Sequence, residues 1–446
     1  MILALGIDDL AIDITAHLRN LKRRMTVYRR YRRASADDFL SGRSECPIAI
    51  LIPAWREEIV IGSMLRRLRA VLDYSDYHVY VGIYPNDPAT RRAVEAVDPD
   101  RTWLSPVMMP RPGPTSKADC LNMLYLAAQS GTAPSNRAFA AFVLHDAEDL
   151  VDAGECRVFS ALIHKADMIQ LPVIPLVRSP FDLIAGHYLD EFAENHQKDM
   201  ILREAISGAV PSAGVGCAFS ARALGMIAKA QGGRPFPDGH MTEDYSLALR
   251  LARLGLKTIF VSLPLHRTLR RIPVATRGYF PDRLGTAVRQ KARWLIGIGL
   301  QSWQEHGWPG SLATRLMLYR DRKALITPFI GLAANILLLL VMLHVLLNDT
   351  APDFASGPHG AVLLHLIACN LFLLLMRAGH RVAYVARLHG LPCALMSLPR
   401  MAIANIVNSG ASARALFIYC RHRMIGTPLR WDKTEHLQAL PEIREC

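Results

Sequence analysis

Residues 328–347 form an uncharged apolar stretch that is long enough to cross the hydrocarbon core of a membrane as a helix. A second apolar stretch, residues 361–376, is followed at once by Arg377 and Arg381, whereas the connection between the stretches carries two aspartates and no lysine or arginine. Basic residues mark the cytoplasmic side of a membrane helix. The pattern therefore predicts a transmembrane hairpin over residues 328–376 with both ends cytoplasmic. The alternative is a buried helical pair in a soluble protein.

The formal net charge of +13 requires an explanation, such as nucleic acid, anionic lipid or a diphosphate substrate as partner. Lysine and arginine cluster at residues 19–33 and again at residues 377–430, and both clusters border apolar or amphipathic stretches. The sequence contains no basic module with interleaved aromatic residues of the nucleic-acid-binding type. We therefore expect membrane lipid as a partner and no nucleic acid, with a solvated basic face as the alternative.

Residues 1–45 are predicted to form an amphipathic interfacial helix, or a truncated membrane helix, followed by a basic linker. Apolar side chains recur here at alternating steps of four and three residues and so share one helical stripe. The stripe consists of Leu3, Ile7, Leu10, Ile14, Leu18, Leu21 and Met25. Such a helix can lie in the membrane interface or pack on a soluble domain. At the other end, residues 377–446 mix proline and arginine with apolar residues, which predicts interfacial helices and a cytoplasmic tail.

Residues 46–327 alternate short apolar runs with helical stretches, which predicts an α/β domain with a largely parallel sheet covered on both faces. The predicted strands are residues 47–52, 78–84, 138–144, 168–173 and 258–261. Ligands of such sheets collect at the carboxyl ends of the strands. The candidate functional residues are therefore the polar side chains that follow a predicted strand.

Acids follow the first two predicted strands. Glu57 comes soon after the first, where it could hold a base or a ribose, although strand–proline–helix junctions are common without such a role. Asp87 follows the second strand and lies between two prolines, which fixes its direction and suits hydrogen bonding to a nucleobase or ribose. The alternative for Asp87 is an ordinary turn stabilised by its own side chain.

Three acids follow the third predicted strand, at Asp146, Glu148 and Asp149. Their mutual repulsion is costly without a cation, and Mg²⁺ or Mn²⁺ takes one or two carboxylates together with diphosphate oxygens. In an extended segment, Asp146 and Glu148 point to the same side. We therefore expect these two residues to bind a metal ion, with a solvated acidic turn as the alternative.

Glu243 and Asp244 follow Thr242 at the start of a predicted helix. Thr242 could cap that helix, in which case the two acids could serve only the helix dipole. The functional alternative is a general base that removes the proton of an acceptor hydroxyl.

A basic and aromatic segment, residues 290–294, lies shortly before the first predicted membrane helix. Lys291 and Arg293 can meet diphosphate oxygens, and Trp294 offers a flat face for a sugar ring. Helices of this composition are also common at membrane boundaries without any catalytic role.

Taken together, these motifs resemble the D, DxD, TED and QxxRW series of the processive family 2 glycosyltransferases, the group of the cellulose and hyaluronan synthases. They occur in the order and approximate spacing of that family. Further stretches, among them residues 111–119 and 211–216, are similar to the glycosyltransferase part of a bacterial phage-adsorption family of the inner membrane. The resemblance implies a GT-A fold for residues 46–327, followed by transmembrane helices, and an inverting, metal-dependent transfer of a sugar.

The resemblance also implies a role for each matching residue. The donor, a nucleotide-sugar and above all a UDP-sugar, would be bound by Pro53, Glu57, Asp87, Lys117, Asp119 and Asp146. Mg²⁺ or Mn²⁺ would lie between Asp146 and Glu148, although Glu148 stands where a second aspartate is usual. Asp244, with Glu243 beside it, would be the catalytic base. The acceptor and the leaving diphosphate would be braced by Gln290, Arg293 and Trp294.

The implied activity is the growth of a polysaccharide at the inner membrane of a bacterium, with the catalytic domain in the cytoplasm. A single hairpin is too small to enclose a glycan pore, so we expect an export or outer-membrane partner protein, or a homodimer. The alternatives are transfer of one sugar to a lipid-linked acceptor, and a non-catalytic membrane scaffold for phage adsorption or exopolysaccharide assembly.

Overall fold

The computed structural model describes residues 2–39, 45–266, 272–348, 359–427 and 429. The acidic connection between the predicted membrane helices, residues 349–358, and the predicted tail, residues 430–446, lie outside the described residues. The described residues form an α/β domain, an N-terminal helix that packs on it, and two long C-terminal helices.

The described part of the α/β domain contains nine strands. They are β1 (Ile48–Pro53), β2 (Tyr77–Ile83), β3 (Leu104–Met108), β4 (Ala141–Leu144), β5 (Met168–Gln170), β6 (Val173–Leu176), β7 (Cys217–Ser220), β8 (Thr258–Phe260) and β9 (Thr276–Tyr279). Seven of them form one sheet in the order β3-β2-β1-β4-β7-β5-β8. The pairs β1–β2, β1–β4, β2–β3 and β5–β8 are parallel. The predicted α/β fold is therefore confirmed.

The sheet differs from the prediction in two respects. β7 runs antiparallel between β4 and β5, so the sheet is mixed. The single strand predicted at residues 168–173 is two strands, because Pro172 lacks the N–H needed to continue the ladder, and β6 pairs with β9 in a second sheet. β3 is not predicted from the sequence because Pro106 interrupts its apolar pattern, which is tolerated at the edge of a sheet.

Helices cover both faces of the large sheet, as predicted. In chain order the helices are α1 (Ile2–Met25), α2 (Val27–Arg30), α3 (Ile61–Val71), α4 (Pro88–Glu95), α5 (Lys117–Gln129), α6 (Glu155–Leu162), α7 (Ile184–Glu194), α8 (Met200–Ser207), α9 (Ala221–Ala230), α10 (Glu243–Arg253), α11 (Leu284–Leu295), α12 (Ser302–His306), α13 (Leu312–Lys323), α14 (Thr327–Asn348) and α15 (Gly360–Ile425). Ile48 and Ile50 of β1 join one core with Leu65 of α3. Ala49 and Leu51 point to the opposite face and join a second core.

Three shorter segments complete the helical structure. Ala36–Phe39 is a 3-10 helix, and Asn195–Asp199 and Ile296–Gln301 are π-helical. The first π-helix joins α7 to α8, and the second joins α11 to α12. Each pair is therefore one continuous helical rod with a π-bulge, a feature that often accompanies functional sites.

α1 attaches to the rest of the protein through its acidic face. Lys323 of α13 donates to Asp8 and Asp9 at 2.6 and 3.0 Å, and Lys198 donates to Asp13 at 2.6 Å. The apolar stripe predicted for this helix instead remains largely exposed, at Ile7, Ile14, Leu18, Leu21 and Met25. α1 thus packs on the protein while keeping an apolar surface outward, and its position in a membrane interface stays a prediction.

α14 and α15 are long and apolar enough to cross a membrane, and their most apolar windows are wholly unburied by the protein. The helices expected beyond residue 377 are continuous with α15, broken only at Gly390, whose φ is 78°. Beyond Gly390, Arg400 is fully buried and lies 3.3 Å from Asp190 of α7. This half of α15 therefore packs on the α/β domain, although its interfacial or re-entrant nature stays a prediction.

Candidate active site

A cavity of about 1590 Å³ lies at the carboxyl ends of β1 and β4. Most of the residues singled out from the sequence line it, namely Pro53, Glu57, Lys117, Asp146, Glu148, Glu243, Asp244, Gln290, Arg293 and Trp294. The cavity also extends to Thr327 and Pro328 in the first turn of α14. The separate sequence motifs therefore meet in one space, and that space reaches a helix able to cross a membrane.

The acids after β4 lie on a turn, not on an extended strand as the sequence predicts. β4 ends at Leu144, and the N–H of Asp149 donates to the carbonyl of Asp146 at 3.2 Å. Asp149 Oδ2 accepts from the Asp146 N–H at 2.9 Å and so stabilises the turn. Asp146 and Glu148 nevertheless both line the cavity, because the turn presents them to the same side.

A fully buried histidine supports this turn from behind. His145 Nδ1 lies 3.1 Å from Asp149 Oδ2, and His145 Nε2 lies 2.6 Å from Glu155 Oε1. Burial opposes protonation, yet the neighbouring Glu155 and Asp149 raise the pKa of His145 to about 10. Through its two ring nitrogens, His145 connects Asp149 of the turn to Glu155 of α6.

Lys117, the first residue of α5, is the cation around which the acids gather. Its Nζ lies 2.6 Å from Asp146 Oδ1 and 3.5 Å from the carbonyl of Gly214. Burial disfavours the ammonium, but the charges of Asp146, Glu243 and Asp244 raise the pKa of Lys117 above its usual value. Acids from two distant parts of the chain thus share one ammonium group, as expected of a site built to hold charged ligands.

One lysine does not neutralise the whole set of carboxylates. Burial, with Asp146 and Glu57 nearby, raises the pKa of Glu148 well above its usual value. Burial and the adjacent Asp244 raise the pKa of Glu243 to about 7. The carboxylates of Asp146 and Glu148, which line the same cavity, fit a Mg²⁺ or Mn²⁺ ion that also takes oxygens from a diphosphate. The described residues contain no group of three acid, histidine or cysteine side chains arranged to hold a metal by themselves.

Asp244 depends on a glycine for its position. Gly214 has a φ of +76°, and a Cβ at that residue would lie 2.6 Å from Asp244 Oδ2. Burial raises the pKa of Asp244 although Lys117 opposes the shift. A buried carboxylate with a raised pKa is suited to accept a proton, because desolvation makes its ionised form a stronger base.

The segment before α10 is held by the π-helix that follows α11. Thr242 occupies the N-cap position of α10, but its hydroxyl makes no capping bond, and Thr242 Oγ1 has no hydrogen-bond partner among the described residues. A Cβ at Gly297 would lie 2.2 Å from that oxygen, so the close approach requires glycine. Gln301 in turn accepts from the N–H of Met241 at 2.8 Å. The capping explanation for Thr242 is therefore wrong, since Thr242 packs against the π-helix.

α11 presents Gln290, Arg293 and Trp294 to the cavity. Trp294 lies in an aromatic cluster, with ring centroids 6.0 Å from Tyr188 and 6.3 Å from Phe280. Buried Gln290 Oε1 has no hydrogen-bond partner among the residues that the structure describes. A buried polar atom without a partner carries a free-energy cost, which a ligand with hydroxyl groups would relieve.

Lys291, for which the sequence predicts a contact with diphosphate oxygens, is paired with two other side chains. It is buried, and its Nζ donates to Glu191 Oε2 at 2.5 Å and to Asn408 Oδ1 at 2.8 Å. Lys291 also lines the cavity, but these two contacts occupy its ammonium group, and a contact with a diphosphate stays a prediction.

Asp87 and Asp119 are not among the residues that line the cavity. Asp87 is buried, and its carboxylate accepts from the backbone N–H groups of Arg56 at 2.6 Å and Thr90 at 3.2 Å. Asp119 pairs with Arg111 at 3.1 Å. Both residues stabilise the loops around Glu57 and Lys117, and a direct contact with a nucleotide stays a prediction for each.

Several contributors to the site are not identified by the sequence motifs. Glu191 and Asn408 reach the cavity from α7 and α15, and neither belongs to a short motif. Gly297 lies in a helix, where a glycine is unfavourable unless close packing requires it. A glycine within a helical pattern is therefore the sequence signal that could identify this residue. Gly214 lies within the stretch 211–216 that carries part of the family resemblance.

Comparison with known proteins agrees with this geometry. Residues 141–347 match the family described as "Glycosyl transferase family group 2". Bacteriophage adsorption protein B of Escherichia coli K12 and bacteriophage N4 adsorption protein B of Escherichia coli O157:H7 are each 40% identical to the chain over 97% of its length and 60% of their own. The chain thus spans less than two thirds of these relatives.

A solved structure supports the fold assignment. The mannosyltransferase PcManGT from Pyrobaculum calidifontis, in complex with GDP-Man and Mn2+, aligns with a TM-score of 0.50. The alignment covers 94% of this chain and 99% of that protein at 16% identity. At that identity the likeness concerns the fold, and the α/β domain is of the GT-A type.

Proposed function

Because this chain carries a family 2 glycosyltransferase domain, we propose that it transfers a sugar from a nucleotide-sugar, most simply a UDP-sugar, to a growing polysaccharide at the cytoplasmic face of the bacterial inner membrane. One observation carries the proposal. Carboxylates after β4 and at the start of α10 share a buried lysine in the same cavity that Arg293 and Trp294 line. Binding of a diphosphate and abstraction of a proton both require such a combination.

In the proposed reaction, Asp244 takes the proton of an acceptor hydroxyl, and that oxygen attacks the anomeric carbon. The new C–O bond forms as the bond between the anomeric carbon and the diphosphate oxygen breaks on the opposite side, which inverts the configuration. Negative charge then develops on the diphosphate. Arg293 and Lys117, which both line the cavity, stabilise that charge.

Asp146 and Glu148 are the residues that would hold Mg²⁺ or Mn²⁺, and Pro53 and Glu57 line the same end of the cavity for the nucleoside. A bound divalent ion would supply positive charge to the diphosphate oxygens. The structurally similar mannosyltransferase is described in complex with GDP-Man and Mn2+, which is consistent with this assignment. Gln290 would meet hydroxyl groups of the acceptor, because its buried Oε1 is without a partner among the described residues.

A second candidate function is transfer of a single sugar to a lipid-linked acceptor. It is favoured by the extension of the cavity to Thr327 and Pro328, since an acceptor anchored in lipid could enter beside α14. The names of the E. coli relatives also raise a non-catalytic role as a scaffold for phage adsorption or exopolysaccharide assembly. The convergence of acids on Lys117 argues against that role, because buried carboxylates without a ligand only destabilise a fold.

The membrane location is part of the proposal. α14 and the first part of α15 would span the bilayer, with Arg377 and Arg381 at the cytoplasmic end beside the cavity. Two spans are too few to surround a glycan, so export of a polymer would require a homodimer or an export or outer-membrane partner protein.

The deciding experiment is a screen of nucleotide-sugars with the detergent-solubilised protein and Mg²⁺ or Mn²⁺, followed by analysis of the product. A ladder of glycan lengths indicates polymer synthesis, and one discrete glycolipid indicates single transfer. Asp244→Asn is expected to abolish transfer while nucleotide binding remains, because the substitution keeps the shape of the side chain and removes the base. Equal turnover of the wild type and this variant would reject the proposed catalysis.

A further inference from the structure

The half of α15 beyond Gly390 supplies part of the wall of the proposed active site. Asn408 lies in this half and lines the cavity. Its side-chain oxygen accepts from Lys291 of α11 at 2.8 Å, and its side-chain nitrogen donates to Glu191 Oε1 of α7 at 2.9 Å. Since Lys291 also donates to Glu191 Oε2 at 2.5 Å, the three side chains close a ring of hydrogen bonds. We call Glu191, Lys291 and Asn408 the three-helix ring.

The ring contains an ion pair between Lys291 and Glu191, and the lysine of that pair is withdrawn from water. Lys291 is only 6% exposed, and its ammonium lies 5.0 Å from the centroid of the Tyr188 ring. Removing one partner of a buried ion pair leaves an uncompensated charge, so such pairs are sensitive to single substitutions. Asn408 is the member that can satisfy both others at once, because an amide offers an acceptor to Lys291 and a donor to Glu191.

The two helices that the ring connects also pack closely along their length. Ala292 and Ile296, at the end of α11 and the start of the π-helix, are buried against Ala411 and Ala415 of α15. A Cβ at Gly410 would lie 3.2 Å from Val288 Cγ2. Small residues on α15 therefore allow α11 to lie directly on it, and the hydrogen bonds of Asn408 then set their relative position.

A second polar contact anchors the same half of α15 to α7. The guanidinium of Arg400 is fully buried, lies 3.3 Å from Asp190 Oδ1, and donates to the carbonyl of Gly186 at 2.9 Å. Asp190 is the neighbour of Glu191 in α7. α15 is thus attached to one helix by Arg400 and connected to two helices by Asn408, one of which carries Gln290, Arg293 and Trp294.

We propose that Asn408 is a positioning residue of the transferase reaction: through Lys291 and Glu191 it holds the turn of α11 that bears Arg293 and Trp294 against the cavity. The proposal rests on the function proposed above, and it makes a helix beyond the second membrane span a necessary part of the site. A displacement of catalytic groups by about 1 Å lowers rates by about a hundredfold, so a positioning contact of this kind has a measurable effect.

The test compares Asn408→Ala with Ser409→Ala in the full-length protein in nanodiscs. Ser409 is the adjacent residue on α15, and its buried hydroxyl has no hydrogen-bond partner among the described residues, so it is a matched control. Hydrogen–deuterium exchange of the α11 amides should become faster in Asn408→Ala and remain unchanged in Ser409→Ala. With nucleotide-sugar and acceptor, kcat should fall about tenfold or more in Asn408→Ala, with little change in the KM for the donor.

Two further variants separate positioning from simple space filling. Asn408→Asp keeps the size of the side chain but replaces the donor to Glu191 by an oxygen, so its kcat should fall at least as far as that of Asn408→Ala. Lys291→Met combined with Asn408→Ala should be no slower than the slower single variant, because both break the same ring. An active Asn408→Asp variant, or losses that multiply in the double variant, would overturn the proposal.

The readouts also distinguish this proposal from the function on which it rests. The wild type could turn over no nucleotide-sugar while the α11 amides of Asn408→Ala still exchange faster. That result would reject the transferase proposal but leave the link between α15 and α11 standing. Unchanged exchange, or faster exchange with unchanged kcat in an active enzyme, would reject the positioning role alone.

Discussion

Single residues control the charge balance of the proposed site. Asp146, Glu243 and Asp244 surround Lys117 closely enough to raise the pKa of its ammonium, and Glu148 lies in the same buried region. Several buried carboxylates around one ammonium group repel one another, and a divalent cation relieves that repulsion. The same residues therefore account both for the affinity expected toward a divalent cation and for the cost of leaving the site empty.

The first prediction concerns the binding of a divalent metal ion. The double variant Asp146→Ala, Glu148→Ala should lose Mn²⁺-dependent binding of UDP, since it removes the two carboxylates that fit the ion. Isothermal titration calorimetry with UDP, with and without Mn²⁺, measures this loss. Glu95→Ala, at a surface ion pair of α4, is the control and should bind as the wild type does. Normal Mn²⁺-dependent affinity in the double variant would refute the assignment.

The second prediction concerns Gly214. Gly214→Ala should lower the transfer rate more than it lowers stability, because its new methyl group meets the flexible Asp244 carboxylate and displaces the base. Gly208→Ala is the matched control, since Gly208 has a similar positive φ of +64° but open space around it. Both variants carry the strain of a left-handed alanine, about 1–2 kcal/mol. Initial rates and thermal melting temperatures are compared between the two variants. Equal rates would show that Gly214 does not set the position of Asp244.

Packed helices, rather than loops, connect the sequence motifs of the proposed site. The rod formed by α11, the π-helix and α12 carries Arg293 and Trp294 in one part and contacts Thr242 in the next. α15 supports the same rod from the other side through Ala411 and Ala415. The TED segment, the QxxRW segment and α15 are therefore parts of one packed unit.

The contact between the π-helix and Thr242 leads to a testable prediction. Gly297→Ala should lower both activity and stability, because a methyl group there meets the stiff, β-branched side chain of Thr242 and the rod must shift. Gly225→Ala in α9 has open space and should gain up to about 1 kcal/mol in helix propensity. Thermal unfolding and initial rates are the measurements. A Gly297→Ala variant as stable and active as Gly225→Ala would contradict the close contact.

The molecule as a whole places its cavity next to a helix that is long and apolar enough to cross a membrane. The cavity reaches the first turn of α14, and the most apolar windows of α14 and α15 contain no buried residue. The apolar stripe of α1 is also exposed, and the basic residues at 19–33 lie at and just beyond the C-terminal end of that helix. An active site beside two candidate spans fits an acceptor or product that stays at the membrane.

Membrane insertion of α14 can be tested with a charged substitution. Leu339→Arg places a charge in the middle of α14, at an exposed position, and should reduce stable insertion because an arginine there costs about 2.5–3.5 kcal/mol. Leu312→Arg, at an 83% exposed position of α13 outside the spans, is the control. Carbonate extraction of membranes reports the result. Equal retention of both variants would argue that α14 does not cross the bilayer.

Periodicity and motif order in the sequence determined the α/β class, the apolar helices and the motif residues that meet in the cavity. These features are local, because a buried strand, an uncharged span or an acid after a strand is visible within a few residues. The antiparallel insertion of β7, the turn that carries Asp146 and Glu148, and the occupation of Lys291 by Glu191 and Asn408 were decided only by the tertiary structure. Each depends on segments far apart in the chain, whose packing and charge pairing leave no short pattern in the sequence.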